Sequence, residues 1–539
     1  MSATPTPEQL KAIECAGNAV VTARPGSGKT FTLVRMIACE SESLLSYQGV
    51  IAISYTNKAS DELKERCDRL GVNRNRSFFG TIDKFCIGQI IAPFVPHITG
   101  AKADFDLVED KQSDSWEQLK GRRHDDPELH AFLLDALQTG KLPIGALGPM
   151  ALFILDAVPQ ASIFVKSRYT SIYIDEYQDC GLYQHLLLKR LVAYGLRGVA
   201  VGDIDQAIFR FADKSPEYLL ELINDDSFQH FQITQNHRCA QAIQAYSLAL
   251  LGIQTQSIEP RDRRVFAVSM QGDEHALAEG IRERIDPIMQ KYGVANRSKV
   301  AIIGSSNAVL NLYAEIIGMP YKRFVNTPLD SGFSKWRRVF ADLLTSYYDS
   351  NHFSGLFLDS HIGTDAKPSK RNLGLSLLDE FFALREDELP TSIELAREIA
   401  RLCEPDAEKD DDVDAYRNVV GDPALLQGGF RPAQPGEINI LTYHKAKGLE
   451  FDIVFCMEAY RFLMPPYRHE EQPFDAYRQS LAMHYVGITR AKKVCYIMLG
   501  SERRNKDGEI KKAEPTEFLN ISGLKGLRND AVWQLAVAQ

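Results

Sequence analysis

Eight consecutive residues, Ala23-Arg24-Pro25-Gly26-Ser27-Gly28-Lys29-Thr30, constrain this chain more than any other stretch. They follow the apolar run Ala19-Val20-Val21 and precede a segment of helical periodicity. That order predicts a strand, a tight glycine turn and a helix. Such a turn aims backbone N–H groups at an anion, and the helix N-terminus adds a favourable dipole. Lys29 would reach the β- and γ-phosphates of a nucleotide, and the Thr30 hydroxyl would hold Mg²⁺. Ala23 stands where the pattern asks for glycine, a mild departure.

The same loop serves kinases, GTPases and motors, so the residues downstream must decide between them. After the apolar Ser171-Ile172-Tyr173-Ile174 comes Asp175-Glu176-Tyr177-Gln178-Asp179. A strand ending in Asp-Glu completes the phosphate loop. Asp175 would bind Mg²⁺, directly or through water, and Glu176 would orient or deprotonate the attacking water.

Periodicity gives the organisation. Up to residue 92, apolar strands alternate with amphipathic helices: 18–23 then 29–40, 50–54 then 57–70, 78–82 then 83–91. This is a βαβ series and predicts a parallel sheet with helices on its faces. The series resumes at 172–175, 199–203 and 231–234; residues 93–168, helical and charged, read as an insertion. A second series has strands at 265–269, 300–305, 438–442, 453–457 and 494–499, with another mostly helical insertion from 328 to 432. Within it the run Lys409-Asp410-Asp411-Asp412 reads as a solvated loop. At 539 residues the chain is long enough for several domains with substantial cores.

A formal net charge of -9 argues against a chromatin-like coat protein, although a groove on an acidic molecule can still be locally basic. The nine cysteines form no C-x-x-C pair, so a zinc site and a disulfide framework are not expected. No apolar run approaches the length that spans a bilayer, and no secretory signal opens the chain. A cytoplasmic setting is expected, with no membrane partner.

Taken in order, ARPGSGKT, DEYQD, VGDIDQAIFRF (201–211), QNHRC (235–239), HKAKGLEFD (444–452) and YVGITRAKK (485–493) resemble the motif set of superfamily 1A DNA helicases, the UvrD/Rep/PcrA group. The resemblance runs from Gln9 to Leu499. It implies an α/β fold of two RecA-like parallel-sheet motor domains, 1A (1–92 and 169–258) and 2A (259–327 and 433–539). Each carries a helical insertion, 1B (93–168) and 2B (328–432), both short for the family. The segment after Leu499 is too short for the nuclease domain fused to some relatives.

ATP in such motors sits between the two cores. By position in the motifs, Gln9 is similar to the family's adenine-reading glutamine, and Gln206 to the residue that senses the γ-phosphate and links it to DNA. Arg238 and Arg490 match the arginines that neutralise the transferring phosphoryl group, Arg490 coming from the second core and acting on closure. Glu450 matches a residue near the ribose and phosphates. His237 replaces the usual tyrosine that stacks on adenine. The ATP set is thus Gln9, Ala23 to Thr30, His237, Arg238, Glu450 and Arg490.

Tyr55, Phe209 and Phe211 match aromatics on which bases of single-stranded DNA stack, a sequence-neutral mode because every base has a flat face. Asn57, Thr81 and His444 match polar residues that hold the DNA backbone. Thr81-Ile82-Asp83 stands where the family has Thr-x-His, and Ala212-Asp213-Lys214 replaces Arg-Gly-Ala. An acid beside the groove repels phosphate, so the DNA path is expected to differ locally. The resemblance implies an ATP- and Mg²⁺-dependent single-stranded DNA translocase and 3′-to-5′ helicase, acting at single-strand/duplex junctions in repair or defence. The chain is also similar to the compact UvrD-like subunit of Gabija-type antiphage systems, in which a separate nuclease is present. That similarity implies an ATPase subunit that regulates or partners a nuclease and unwinds little by itself.

Overall fold

The computed structural model describes residues 4–55, 57–72, 76–101, 106–206, 216–330, 334–349, 352–363, 366–466, 473–505 and 508–535, and the backbone alone at 57, 58 and 473–475. The chain divides into two compact units. The first comprises Met1–Phe266, Ala459–Lys493 and Glu514–Asn529; the second comprises Ala267–Glu458, Val494–Ala513 and Asp530–Gln539.

The first unit is built on six strands: β1 (Ala19–Ala23), β2 (Gly49–Ile53), β3 (Phe78–Gly80), β4 (Tyr169–Ile174), β5 (Arg197–Gly202) and β6 (Gln229–Ile233). Their spatial order is β3-β2-β4-β5-β1-β6, and the neighbours pair in parallel. Every residue of β2 is buried, as are all but one in β1, β4 and β5. Helices on both faces require this, and it is why these strands appear in the sequence as continuous apolar runs. Helices α1 (Pro7–Ile13), α2 (Lys29–Ser41), α3 (Asn57–Arg69), α4 (Leu182–Ala193), α5 (Gln241–Leu250) and α6 (Pro473–Thr489) flank the sheet or its loops. Because β1, β5 and β4 are neighbours and parallel, the turns that leave their carboxyl ends emerge side by side. In open parallel sheets that edge is where ligands bind. Between β3 and β4 the chain inserts helices Pro127–Thr139, Leu147–Ala157 and Pro159–Arg168, with a short parallel pair, Asp106–Val108 and Lys141–Pro143.

The main sheet of the second unit has seven strands: β7 (Val265–Met270), β8 (Val300–Gly304), β9 (Tyr321–Arg323), β10 (Ile438–Thr442), β11 (Phe451–Cys456), β12 (Ala491–Gly500) and β13 (Asn529–Trp533). The order is β9-β10-β8-β11-β12-β7-β13, parallel across β9, β10, β8 and β11. Between β9 and β10 lies a helical insertion from Lys335–Tyr348 to Pro423–Phe430, with its own core around Trp336, Phe340, Leu343 and Tyr416. The protein is thus α/β, with two RecA-like parallel-sheet domains, each interrupted by a mainly helical segment.

Two features differ from the sequence reading. Residues 459–493 and 514–529, assigned there to the second motor domain, group by contact with the first unit. Helix α6 packs on α5 and on the turn Ile204–Gln206, and the Ala240 N–H donates to the Lys492 carbonyl at 2.8 Å. The acidic run at Lys409 is not a solvated loop. It opens the helix Asp410–Gly421, whose N-terminal dipole favours carboxylates. Asp412 in that turn is buried and accepts a hydrogen bond from Arg337 Nε at 2.7 Å.

Candidate nucleotide and DNA sites

The turn from β1 to α2 folds as the sequence predicts. Gly26 and Gly28 take φ of +75° and +86°, left-handed values that glycine reaches without cost. Space demands glycine as well. A Cβ on Gly26 would lie 2.4 Å from the Arg238 Cβ, and one on Gly28 would lie 2.6 Å from Gln9 Nε2. Ser27, fully buried, ties the turn together by donating its hydroxyl to the Arg24 carbonyl at 2.7 Å. Gly28 starts α2 with no side-chain cap and no acid in the first turn, so the N–H groups of that helix end could hold an anion. Ala23 and Pro25 complete the turn, and the His237 N–H donates to the Gly26 carbonyl at 2.8 Å from behind.

Gln9 is buried and fixed at both ends. Its Oε1 accepts from the Thr6 N–H at 2.9 Å, and its Nε2 donates to the Ser27 carbonyl at 2.9 Å. A primary amide has a second N–H and a second lone pair, so Gln9 retains one donor and one acceptor for a base edge. Its neighbour Glu8, which sequence reasoning passed over, ties α1 to the segment after β6. Its carboxylate accepts from the Thr234 N–H at 2.7 Å and the Thr234 hydroxyl at 2.8 Å. Thr234 precedes the segment carrying His237 and Arg238.

Beyond β4, Glu176 sits at φ +52°, a conformation a non-glycine residue adopts at some cost. The Asp175 carboxylate accepts the Glu176 N–H at 2.9 Å, and Lys29 Nζ lies 3.5 Å from Glu176 Oε1. Burial, followed by the adjacent Glu176 charge, pushes the Asp175 carboxyl up to about 7 against the pull of Lys29. Burial works against the Lys29 ammonium too, but Glu176, Asp203 and Asp175 outweigh it and hold its pKa above the ordinary lysine value. The site is therefore short of positive charge.

Beyond β5, Asp203 is buried and accepts from the Asp205 N–H at 3.1 Å and from Gln206 Nε2 at 2.6 Å. Burial raises its pKa and, with Asp203 beside it, brings Asp205 to about 6. Gln206 Oε1 in turn accepts from Arg490 at 3.0 Å. Arg490 is 1% exposed, and burial, then the Arg238 charge, lowers its guanidinium to about 10. The sequence reading brings this arginine in from the second core on closure; it is instead already seated within the first unit, against Gln206.

Donors and charges fit Mg²⁺. Thr30 and Asp175 offer hard oxygens, and among the described residues no cluster of three or more His, Cys, Asp or Glu forms a self-sufficient cage. Mg²⁺ is ordinarily held in this way, by one or two protein oxygens plus substrate phosphates and water.

Of the DNA candidates, Tyr55 and Thr81 line one small cavity of about 60 Å³ together with Asp83, Asp175, Glu176 and Asp179. The Tyr55 residue is 38% exposed, and burial, then the charges of Asp179 and Asp83, pushes its hydroxyl up to about 12. Thr81 caps the short helix Ile82–Phe85 by accepting the Lys84 N–H at 3.4 Å, which leaves its own proton to donate. Phe209 and Phe211 lie outside the described residues, as does the Asn57 side chain. His444 and Glu450 belong to the second unit, His444 in the helix Tyr443–Ala446 and Glu450 exposed just before β11.

A parallel sheet with a glycine turn leading into a helix, an Asp-Glu pair, a buried glutamine and a buried arginine within one unit is the arrangement of a P-loop ATPase. Comparison with known proteins sharpens this. A family model described as "AAA domain" matches residues 9–212, and one described as "UvrD-like helicase C-terminal domain" matches residues 390–502. Gabija protein GajB of Bacillus cereus is 24% identical over 91% of this chain and 94% of its own length. The ATP-dependent DNA helicase PcrA of Bacillus subtilis is 24% identical over 91% and 82%. The ATP-dependent DNA helicase Rep of Escherichia coli is 23% identical over 98% and 95%. The chain is a UvrD/Rep/PcrA-like helicase of superfamily 1, an ATP-dependent enzyme. No single helix among the described residues is long and apolar enough to cross a membrane.

Proposed function

We propose that this enzyme is a single-stranded DNA translocase and a 3′-to-5′ helicase acting at single-strand/duplex junctions. The carrying observation is that three sets of contacts fall within one unit. Lys29 meets Glu176, Asp203 holds Gln206, and Gln206 holds Arg490, while Tyr55 and Thr81 share a cavity with Asp175 and Glu176. A nucleotide on the phosphate loop draws Lys29 away from Glu176 towards the phosphates. Glu176, relieved of that partner, is left to orient and deprotonate water. Arg490 and Arg238 neutralise charge as the phosphoryl group transfers, a contribution worth several orders of magnitude in related motors. Mg²⁺, held by Thr30 and Asp175, would supply Lewis-acid stabilisation of the phosphate oxygens. Gln206 touches both Asp203 and Arg490, so it is the residue through which an occupied strand signals to the reacting end.

Steady-state ATP hydrolysis with and without single-stranded DNA, with Lys29→Ala as control, tests this. The expected result is hydrolysis stimulated at least tenfold by DNA and lost in the variant. Undiminished DNA-stimulated turnover in Lys29→Ala would overturn the phosphate-loop assignment. Strand displacement on 3′-tailed but not 5′-tailed duplexes is the expected polarity.

A second reading has its own support. The match to Gabija protein GajB spans 94% of that protein in 505 aligned positions, whereas the match to Escherichia coli Rep stretches over 671. The chain therefore has the compact proportions of the former. On this reading it is a cytoplasmic, DNA-responsive ATPase that partners a nuclease in antiviral defence and unwinds little alone. Slow hydrolysis indifferent to DNA, rising when a candidate nuclease is added, would favour it.

A further inference from the structure

Gln178 is a polar side chain of DEYQD that neither of these readings uses. It is 1% exposed, and both ends of its amide are engaged within the first unit. Its Nε2 donates to Glu176 Oε2, the oxygen other than the one facing Lys29. Its Oε1 accepts the backbone N–H of Asp203 at 2.9 Å. Gly202 lets it lie that close, since a Cβ there would sit 2.7 Å from Gln178 Oε1. One buried amide thus bridges the end of β4 to the end of β5.

Glu176 needs such a bridge. Its backbone is held in the left-handed region and its carboxylate is only partly covered, so its direction is set by what grips it. Lys29 grips one oxygen but must leave when phosphates arrive. Gln178 remains. A neutral amide donor orients a carboxylate without adding the full charge that would quench it as a base, and a buried hydrogen bond to a charged group is the stronger kind. The other end of the amide fixes Asp203, whose side chain holds Gln206 and through it Arg490.

We infer that Gln178 is a positioning residue for hydrolysis, holding Glu176 in register with the Asp203–Gln206–Arg490 chain. This rests on the reading of Glu176 as the carboxylate that activates water. Two variants separate the functions of the amide. Gln178→Glu keeps an acceptor for the Asp203 N–H but replaces the donor to Glu176 with a repelling group. Gln178→Met keeps length and burial but loses both bonds.

The test is kcat and KM for ATP at saturating single-stranded DNA, with kcat normalised to nucleotide-binding sites titrated with a fluorescent ADP. Glu176→Gln is assayed alongside. Both Gln178 variants are expected to lose at least tenfold in kcat, with KM within twofold of the parent. A merely structural role would lower the number of binding sites and leave kcat per site intact. Turnover per site within twofold of the parent in both variants, with Glu176→Gln inactive, would overturn the inference alone. Full turnover in Glu176→Gln would overturn it together with the reading it rests on.

Discussion

Asp175 shows how burial and one neighbouring charge tune a single residue. Its carboxyl is raised to about 7 by burial and by Glu176, so near neutrality the folded protein holds a proton there that an unfolded chain, with the ordinary aspartate value of 3.8, has already released. In that window the folded state binds more protons than the unfolded one, and stability falls as pH rises, by up to about 1.4 kcal/mol per pH unit for a proton fully retained. Asp205, raised to about 6, acts in the same direction. Asp175→Asn removes the ionising group while keeping its shape. Nucleotide-free Asp175→Asn should therefore melt above the parent at pH 8, and the gap should close as pH falls towards 5. Melting curves across that range check this, and a gap independent of pH would mean that Asp175 ionises normally. Mg²⁺ with nucleotide should flatten the parent's profile, because a cation beside the Asp175 carboxyl favours its ionised form.

Among the elements, the helix Asp410–Gly421 is where local sequence misleads most. Four charged residues in a row suggest solvent, and for Asp410 and Asp411 they mean it; Asp412 is instead buried against Arg337, 75 positions away. Removing one member of such a pair strands the other. Asp412→Ala should cost about 2–4 kcal/mol, less than for a fully buried pair because Arg337 is 22% exposed. Asp411→Ala should stay within about 0.5 kcal/mol. Urea melts of the two variants make the comparison, and equal effects would show that the ion pair adds nothing. The same contrast explains what could be read in advance. Ile438–Thr442 is a strand over the residues expected, because a strand covered on both faces must be continuously apolar. The phosphate loop and Asp175-Glu176 were legible because their chemistry depends on near neighbours in sequence. Gln178, the burial of Asp412 and the seating of Arg490 against Gln206 depend on partners that only the folded sheet brings close. Glu8 was missed for the same reason, since its partner Thr234 lies 226 positions away.

For the whole molecule, the question is how a chain of formal net charge -9 grips a polyanion. The candidate DNA residues Tyr55, Asn57, Thr81, Phe209, Phe211 and His444 include no lysine or arginine, and Asp83 and Asp179 line the cavity that Tyr55 and Thr81 share. Affinity from this set would come from stacking and neutral hydrogen bonds, with little counterion release. For single strands the slope of log K against log salt is about -0.7 per phosphate neutralised. Binding to oligo-dT should therefore show a shallow slope, no steeper than about -2, corresponding to fewer than about three neutralised phosphates. Tyr55→Ala should weaken binding by about 1–3 kcal/mol, the range for loss of one stacked base, with the slope unchanged. Fluorescence anisotropy titrations at several salt concentrations measure both quantities. A steep slope, or a Tyr55→Ala effect confined to low salt, would mean that cations outside this set hold the strand. The acidic lining at Asp83 would then be a feature the DNA path avoids. A shallow slope with a salt-independent loss would mean that the aromatic face, and not the charge of the molecule, determines how the enzyme holds DNA.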